Sequence, residues 1–388
     1  MASRRRTPIC ILIADDITGA CDAGVQFSRL GMKTLLLLAI GGERTPADVV
    51  VVSSNTRREL PAVAARRVGE VAAKLPMVSR TLIFKKIDST LRGHVVAECE
   101  ALLRVCKCEY SVLAPAFPAQ GRLVVKGVLK VRNLSDEWSG EIGEVLAQQG
   151  LREAAFVETA RHESPDQLAQ EIGALRRTAR YIVCDAASDE DLALVAQGLA
   201  RAPGRPLWVG SAGLARQAAQ VLAARLEVAL SGSHPAVTSG SKRAVIVCAG
   251  SDHPATQRQV KKLVDLGRVG MFNAQSATPA EVQHALRDNL HLLLLVDTLH
   301  PEPVRILALL QEARRCGAAG IVLTGGDTAE LACRVTGARA ICLKDEVTAG
   351  IPWGYLEHGI LDGLPVVTKS GGFGADTALL EATNFLSR

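Results

Sequence analysis

Thr81-Leu82-Ile83-Phe84-Lys85-Lys86-Ile87-Asp88-Ser89-Thr90-Leu91-Arg92-Gly93 carries the pattern from which the fold is read. Thr81 to Phe84 is a short apolar run, which predicts a buried strand. Beyond Gly93, the residues Val95, Cys99, Leu102, Leu103 and Cys106 recur at helical spacing. The stretch therefore reads as strand, charged turn and helix start. Two lysines, an arginine and two hydroxyls gather where a helix N-terminus also presents backbone N–H groups, and that combination suits an anion. Asp88 departs from the pattern. It can orient Lys86, two residues away on the strand face, or accept a proton. A solvated turn with a local ion pair is the plainer alternative.

The same design recurs along the chain. Ile9 to Ala14 predicts a buried strand, followed by Asp15-Asp16-Ile17-Thr18-Gly19 and a helix to about Gly31. Two adjacent carboxylates at a strand end are costly to bury together. In an open α/β sheet that end faces the ligand crevice. One of the pair reads as a helix cap and the other as a base or hydroxyl-orienting group. Lys33 to Ile40 and Val49 to Ser53 are further strands. The second ends at Ser54-Asn55-Thr56-Arg57-Arg58, and Pro61 then opens a helix. An arginine in such a turn can grip a carboxylate bidentately. Ser111 to Ala114 is another strand, leading into Pro115 through Arg122, and Leu123 to Val131 reads as a hairpin around Lys126-Gly127. Ser164 and Ser188 mark helix starts.

Residues 231–241 are rich in Ser, Gly, Pro and Thr and read as a linker. They divide the chain into domains over residues 1–230 and 243–388, with 231–242 between them. In the second part Gly250-Ser251, Gly325-Gly326-Asp327-Thr328 and Ser370-Gly371-Gly372-Phe373-Gly374 each follow a strand and precede a helix. Glycine lets a backbone approach phosphate closely and point N–H groups at it. Neither a G-x-x-x-x-G-K-[ST] loop nor a G-x-G-x-x-G fingerprint occurs. Gly350-Ile351-Pro352 reads as a rigid irregular loop. The residues alone therefore predict an α/β enzyme with an anion site in its first half and a phosphate cradle in its second.

Composition sets the outer bounds. At 388 residues, two domains are expected. A hydrophobic content of 48% and a charged content of 22% describe a soluble globular chain. Aromatics at 3% argue against base-stacking platforms, so nucleic acid is not an expected partner. The net charge of +5 is compatible with anionic substrates without requiring them. Ten cysteines occur without a C-x-x-C pair and read as buried thiols of a reducing cytoplasm. Arg4-Arg5-Arg6 resembles a signal n-region, but the apolar run after it stops at Asp15-Asp16, too short for a signal or membrane anchor.

Taken together, Ala14 through Ala20, Lys85 through Gly93, Ala114 through Arg122, Gly250-Ser251, Thr324 through Thr328 and Lys369 through Gly374 resemble the four-carbon acid sugar kinases, in that family's order and over nearly the whole chain. The resemblance implies two domains, each a mainly parallel sheet flanked by helices, with the active site in the interdomain cleft. It implies an acid-sugar-binding domain followed by a nucleotide-binding domain. It implies ATP-dependent phosphorylation, with Mg2+, of the 4-hydroxyl of a sugar acid such as D-threonate or D-erythronate. Arg58-Glu59-Leu60-Pro61 after Asn55-Thr56, and Val209 through Ala215, resemble the D-threonate kinases most. Carried over by position, Asp16, Arg58, Lys85, Lys86, Ile87, Asp88, Ser89, Arg92 and Arg122 would hold the acid sugar. Asp16, and after it Asp88, would serve as base. Ser251, Gly325, Gly326, Asp327, Thr328 and Gly371 would hold ATP. Lys369 is left open between that site, a cap and a solvent-facing place. Arg122 to about Asp136 is shorter than the family pattern, which puts substrate contacts there in doubt. A 3-oxo-tetronate 4-kinase, a non-catalytic sugar-acid-binding protein and a dehydrogenase-like enzyme are the alternatives. The last lacks its dinucleotide fingerprint. Metal ligands and oligomeric state are not indicated.

Overall fold

The structure, a computed structural model, describes residues 7–40, 46–132, 137–226, 243–288 and 290–388. The expected linker over 231–242, the basic start Arg4-Arg5-Arg6 and part of the shortened stretch (133–136) lie outside the described residues. The chain forms two compact units, Met1–Thr34 with Ile40–Ser231, and Leu35–Ala39 with Gly232–Arg388. The sequence reading does not assign Leu35–Ala39 to the second unit.

The first half of the chain alternates strand and helix: β1 (Cys10–Ala14), α1 (Ile17–Ser28), β2 (Thr34–Leu37, all but Thr34 in the second unit), β3 (Val49–Ser53), α2 (Pro61–Ala73), β4 (Leu82–Lys86), α3 (Val95–Val105) and β5 (Tyr110–Ala114). An antiparallel trio then interrupts it: β6 (Arg122–Val125), β7 (Val128–Arg132) and β8 (Glu137–Glu141). The alternation resumes with α4 (Ile142–Gln148), β9 (Ala155–Val157), α5 (Pro165–Leu175), β10 (Tyr181–Cys184), α6 (Asp189–Arg201), β11 (Pro206–Gly210) and α7 (Ala212–Arg225). The sheet runs β3-β1-β4-β11-β5-β10-β9, with parallel pairing. Every residue of β1 and β5 is buried, as expected of strands covered on both faces. The chain passes from β1 to β3 on one side and to β4 on the other. A crevice therefore opens beyond the C-terminal ends of β1 and β4.

The decisive stretch departs from its sequence reading in two respects. Lys85 and Lys86 are not in the turn; they are the last two residues of β4 and both are buried. No helix starts directly after them. Leu91 and Gly93 take φ values of 61° and 89°, which a right-handed helix cannot accept, and α3 begins only at Val95. The expected hairpin is present, with Lys126 and Gly127 at φ 53° and 74°. Asp185 fastens its tip by accepting the amides of Lys126 and Gly127, the latter at 3.0 Å.

The second unit contains β12 (Ile246–Ala249), α8 (Pro254–Leu266), β13 (Val269–Asn273), α9 (Pro279–Arg287), β14 (His291–Leu295), α10 (Pro303–Arg315), β15 (Ile321–Thr324) and α11 (Gly326–Thr336). It continues with β16 (Ala340–Thr348), β17 (Ile351–Glu357), β18 (Pro365–Lys369) and α12 (Ala378–Leu386). Its order is β13-β14-β12-β15-β18-β17-β16, parallel as far as β18 and antiparallel beyond. The Leu35–Ala39 segment joins this unit through Leu38, whose amide donates to the Arg339 carbonyl at 2.8 Å. Gly350-Ile351-Pro352 is not an irregular loop. Gly350, at φ 79°, turns a long hairpin between β16 and β17. The charges at Lys344, Asp345 and Glu346 hide the strand period there. The α12 side chains Leu379 and Leu386 are fully buried against the core with Val247, Val322 and Val367. Each such burial stabilises the unit by about 2 kcal/mol. Among the described residues, no helix is long and apolar enough to cross a membrane.

Candidate active site

In the first unit the ends of β1, β3 and β4 bring three acidic groups and several cations together. Asp16 caps α1: its Oδ1 accepts the Gly19 amide at 2.8 Å and its Oδ2 the Thr18 hydroxyl at 3.0 Å. The same Oδ2 accepts from Arg57 at 2.7 Å. Arg57 also holds Asp15 through two bonds of 2.8 and 2.7 Å. Burial alone would raise the Asp15 carboxyl, but Arg57, with Lys85 and Lys86, outweighs it and holds the group below its ordinary range. Lys86 donates to the Ile87 carbonyl at 2.9 Å, and its ammonium lies 3.1 Å from where a Cβ on Gly19 would sit. Glycine at the start of α1 thus leaves room for a cation beside the Asp16 cap.

The loop after β4 adds Asp88, Ser89 and Arg92. Asp88 accepts from Arg92 at 2.6 and 3.0 Å and from the Thr90 hydroxyl at 2.5 Å. Burial opposes its charge, yet Arg92, Arg57 and Thr90 pull its carboxyl far below the carboxylate range. Such a group is a weak base. Asp88, the second expected base, thus has both oxygens engaged by Arg92. Ser89 is buried next to it, and Ile87 is buried and donates its amide to the Gly210 carbonyl at 3.0 Å. Arg122 enters from β6, buried, and donates to the Gln120 carbonyl. Burial pulls its pKa down while Asp88 acts in the opposite direction, which places Arg122 within the field of the same carboxylate.

Lys85 and Arg58 differ in setting from the residues gathered above. Lys85 is 0% exposed and its ammonium pairs with Glu98, itself buried on α3. Burial disfavours the Lys85 charge; Glu98 and Asp15 outweigh that and raise its pKa. Glu98 also accepts the Thr56 hydroxyl at 2.7 Å, and Thr56 lies 2.8 Å from the Ser54 hydroxyl. Lys85 is thus tied through Glu98 and Thr56 to the turn that carries Arg57. Arg58, expected to grip a carboxylate, is exposed; its neighbour Arg57 is the one that enters the acidic pair. Two adjacent arginines on an irregular turn give no period from which to tell the inward one.

In the second unit the turns after β12, β15 and β18 converge. A Cβ on Gly250 would lie 2.6 Å from both the Thr328 hydroxyl and the Val296 carbonyl. A Cβ on Gly325 would lie 3.2 Å from Ser251 Cβ, and one on Gly371 would run into the Ser251 hydroxyl. Gly325, at φ 96°, is the N-cap of α11, a position where any side chain would be strained. Ser251, Gly325, Thr328 and Gly371 are therefore neighbours, with Gly326 and Asp327 in the first turn of α11. The buried hydroxyls of Thr324, Thr328 and Thr368 have no hydrogen-bond partner among the described residues. An α-helix N-terminus, close-packed glycines and unsatisfied hydroxyls together fit a phosphate-bearing ligand such as ATP. Lys369 does not face solvent; it is fully buried under the last of these turns.

Residues 10–218 match the family model described as a sugar-binding N-terminal domain, and residues 303–379 match a nucleotide-binding C-terminal domain. A D-threonate kinase of Salmonella typhimurium is 30% identical, over 97% of this chain and 98% of the relative. The chain belongs to the four-carbon acid sugar kinase family. A D-threonate kinase of Bordetella bronchiseptica is 33% identical, covering 97% of this chain and 96% of its own. A 3-oxo-tetronate kinase of Cupriavidus necator is 27% identical over 97% and 96%. The crystal structure of a Haemophilus influenzae protein shares the fold, with a TM-score of 0.72 at 18% identity over 97% of this chain and 100% of that one.

Proposed function

We propose that this family member is an ATP-dependent kinase that phosphorylates the 4-hydroxyl of a four-carbon sugar acid, with D-threonate as substrate. The observation that carries the reading is the gathering of Arg57, Lys86, Arg92 and Arg122 around Asp15, Asp16 and Asp88 at the strand ends of a sugar-binding domain. Cations in that number match a small carboxylate, and the acidic oxygens match its hydroxyls. The D-threonate kinases at 30% and 33% identity support the choice of acid.

In this reading Arg92 and Arg122, with Lys86, take the substrate carboxylate. Ser89 and the Ile87 backbone line the same loop. Asp16 accepts the proton of the reacting hydroxyl or orients it. Its Oδ1 is held by the Gly19 amide, so the carboxylate is fixed before substrate arrives. Ser251, Gly371 and the Gly325–Thr328 turn hold ATP, which supplies the transferred phosphoryl group. Mg2+ is the cation we assign to the phosphates. Among the described residues no group of three or more His, Cys, Asp or Glu gathers to hold a metal, and a phosphate-borne Mg2+ needs none. We place the reaction in the cytoplasm.

The test is the identity of the product. Incubation with Mg-ATP and D-threonate should yield a phosphomonoester whose 31P resonance couples to the two C4 protons. A phosphate on another carbon, or ATP consumption without a phosphorylated acid, would contradict the reading.

A further inference from the structure

Lys369 ends β18 fully buried, yet among the described residues its ammonium meets no acidic partner. It donates instead to the carbonyls of Ser370, Gly371 and Phe373, at 2.8, 3.2 and 3.3 Å. An ammonium has three N–H donors and no acceptor, so these carbonyls satisfy it. Burial draws its pKa down to about 7, so the charged form is about half populated at neutrality and dominates below it. The same loop is held from a second side. The Thr256 hydroxyl donates to the Gly371 carbonyl at 2.9 Å. Gln259 Nε2 lies 3.0, 3.1 and 3.0 Å from the carbonyls of Phe373, Gly374 and Ala375. Thr256 and Gln259 are three apart on α8 and share a face.

The loop's carbonyls at Ser370, Gly371, Phe373, Gly374 and Ala375 are therefore all engaged by Lys369 or α8. These peptides are trans. In a trans peptide the N–H points opposite to the C=O. The amides of Gly371, Gly372 and Gly374 consequently point away from the clamp. On that loop Gly371 packs against Ser251 and Gly372 against His253, leaving no room for a Cβ at Gly371.

We propose that Lys369, Gln259 and Thr256 form an internal clamp that turns the 370–375 loop so that its glycine amides face and bind the phosphates of ATP. Lys369 is then a positioning residue. It lies beneath the loop with its donors engaged, and it does not touch the nucleotide. This deepens the nucleotide-site reading above and rests on it.

Lys369→Met and Gln259→Leu test the clamp from its two sides. KM for ATP, KM for the sugar acid and kcat are measured on each, with the thermal midpoint as a check on folding. Loss of a clamp arm should raise KM for ATP about tenfold or more while KM for the acid stays within about twofold. A general loss of fold would move both constants. A folded Lys369→Met protein with unchanged KM for ATP would overturn the inference. If Lys369→Met does not fold, Gln259→Leu decides on the same criterion. Titration of the unaltered protein with a non-hydrolysable ATP analogue separates the nucleotide site from the clamp. Failure to bind there would overturn the nucleotide site itself, and the clamp's function with it.

Discussion

Arg57 clasps Asp15 through two parallel bonds, Nε to Oδ2 at 2.8 Å and an NH2 group to Oδ1 at 2.7 Å, while its third nitrogen reaches Asp16 at 2.7 Å. One guanidinium thereby ties the turn after β3 to the pair of carboxylates after β1. Asp15 is 4% exposed and Asp16 13%, so Asp16 is the member of the pair that presents more surface to a ligand.

Arg57→Ala should destabilise the protein by about 2–3 kcal/mol in chemical denaturation, because it leaves a buried Asp15 unpaired. The figure sits at the low end for such pairs, since the arginine is 19% exposed. Arg57→Lys should recover little of the activity, because an ammonium cannot reproduce the forked contact. Full activity in the lysine variant would contradict the role given to the fork.

Asp16→Asn should lower kcat by about 10²-fold or more with little change in KM for ATP. The thermal midpoint should hold, since asparagine also caps a helix well. Unchanged kcat would remove Asp16 from the chemistry and leave it as a cap.

Lys85 and Glu98 form a buried pair, each side chain 1% exposed. Lys85→Met or Glu98→Leu alone should cost about 3–5 kcal/mol, and the two together should recover much of that loss. Additive losses in this double-mutant cycle would show that the two side chains act separately.

Acid should unfold the first unit through its carboxylates. The Asp15 and Asp88 pKa values are depressed in the folded state relative to the ordinary 3.8. Their contribution is therefore complete above that value and is lost as pH falls from it toward the lower folded values. Equilibrium unfolding between pH 5 and about 2 should show stability falling with pH, with a shallower slope in Arg57→Ala. An identical slope in that variant would mean that Arg57 does not set the Asp15 pKa.

Most of the architecture was legible because buried parallel strands and capped helices leave strong local marks. Val49–Ser53 and the Ser188 cap match their sequence reading residue for residue. The three glycine turns of the second half were legible as turns after strands, and their convergence around Ser251, Gly325, Thr328 and Gly371 is a tertiary fact. Elements whose marks are masked by charge or shortness were not legible: β16 carries Lys344-Asp345-Glu346 in mid-strand, and β13 is a partly exposed five-residue edge. At the site, residue types and region could be read, but not the direction of each side chain. Lys85 and Lys86 look alike in sequence; strand alternation sends one to Glu98 and the other toward Gly19. Gln259, on an ordinary-looking helix, could be tied to the last glycine turn only by the tertiary contact itself.

The central claim is tested most directly by ADP release with purified protein, Mg-ATP and a panel of D- and L-threonate, D- and L-erythronate and 3-oxo-tetronates. The account predicts turnover with D-threonate at a kcat/KM well above the rest of the panel. Preference for D-erythronate or a 3-oxo-tetronate would keep the kinase and replace its substrate. Absence of ADP release with every acid, from a protein that still binds ATP, would contradict the account.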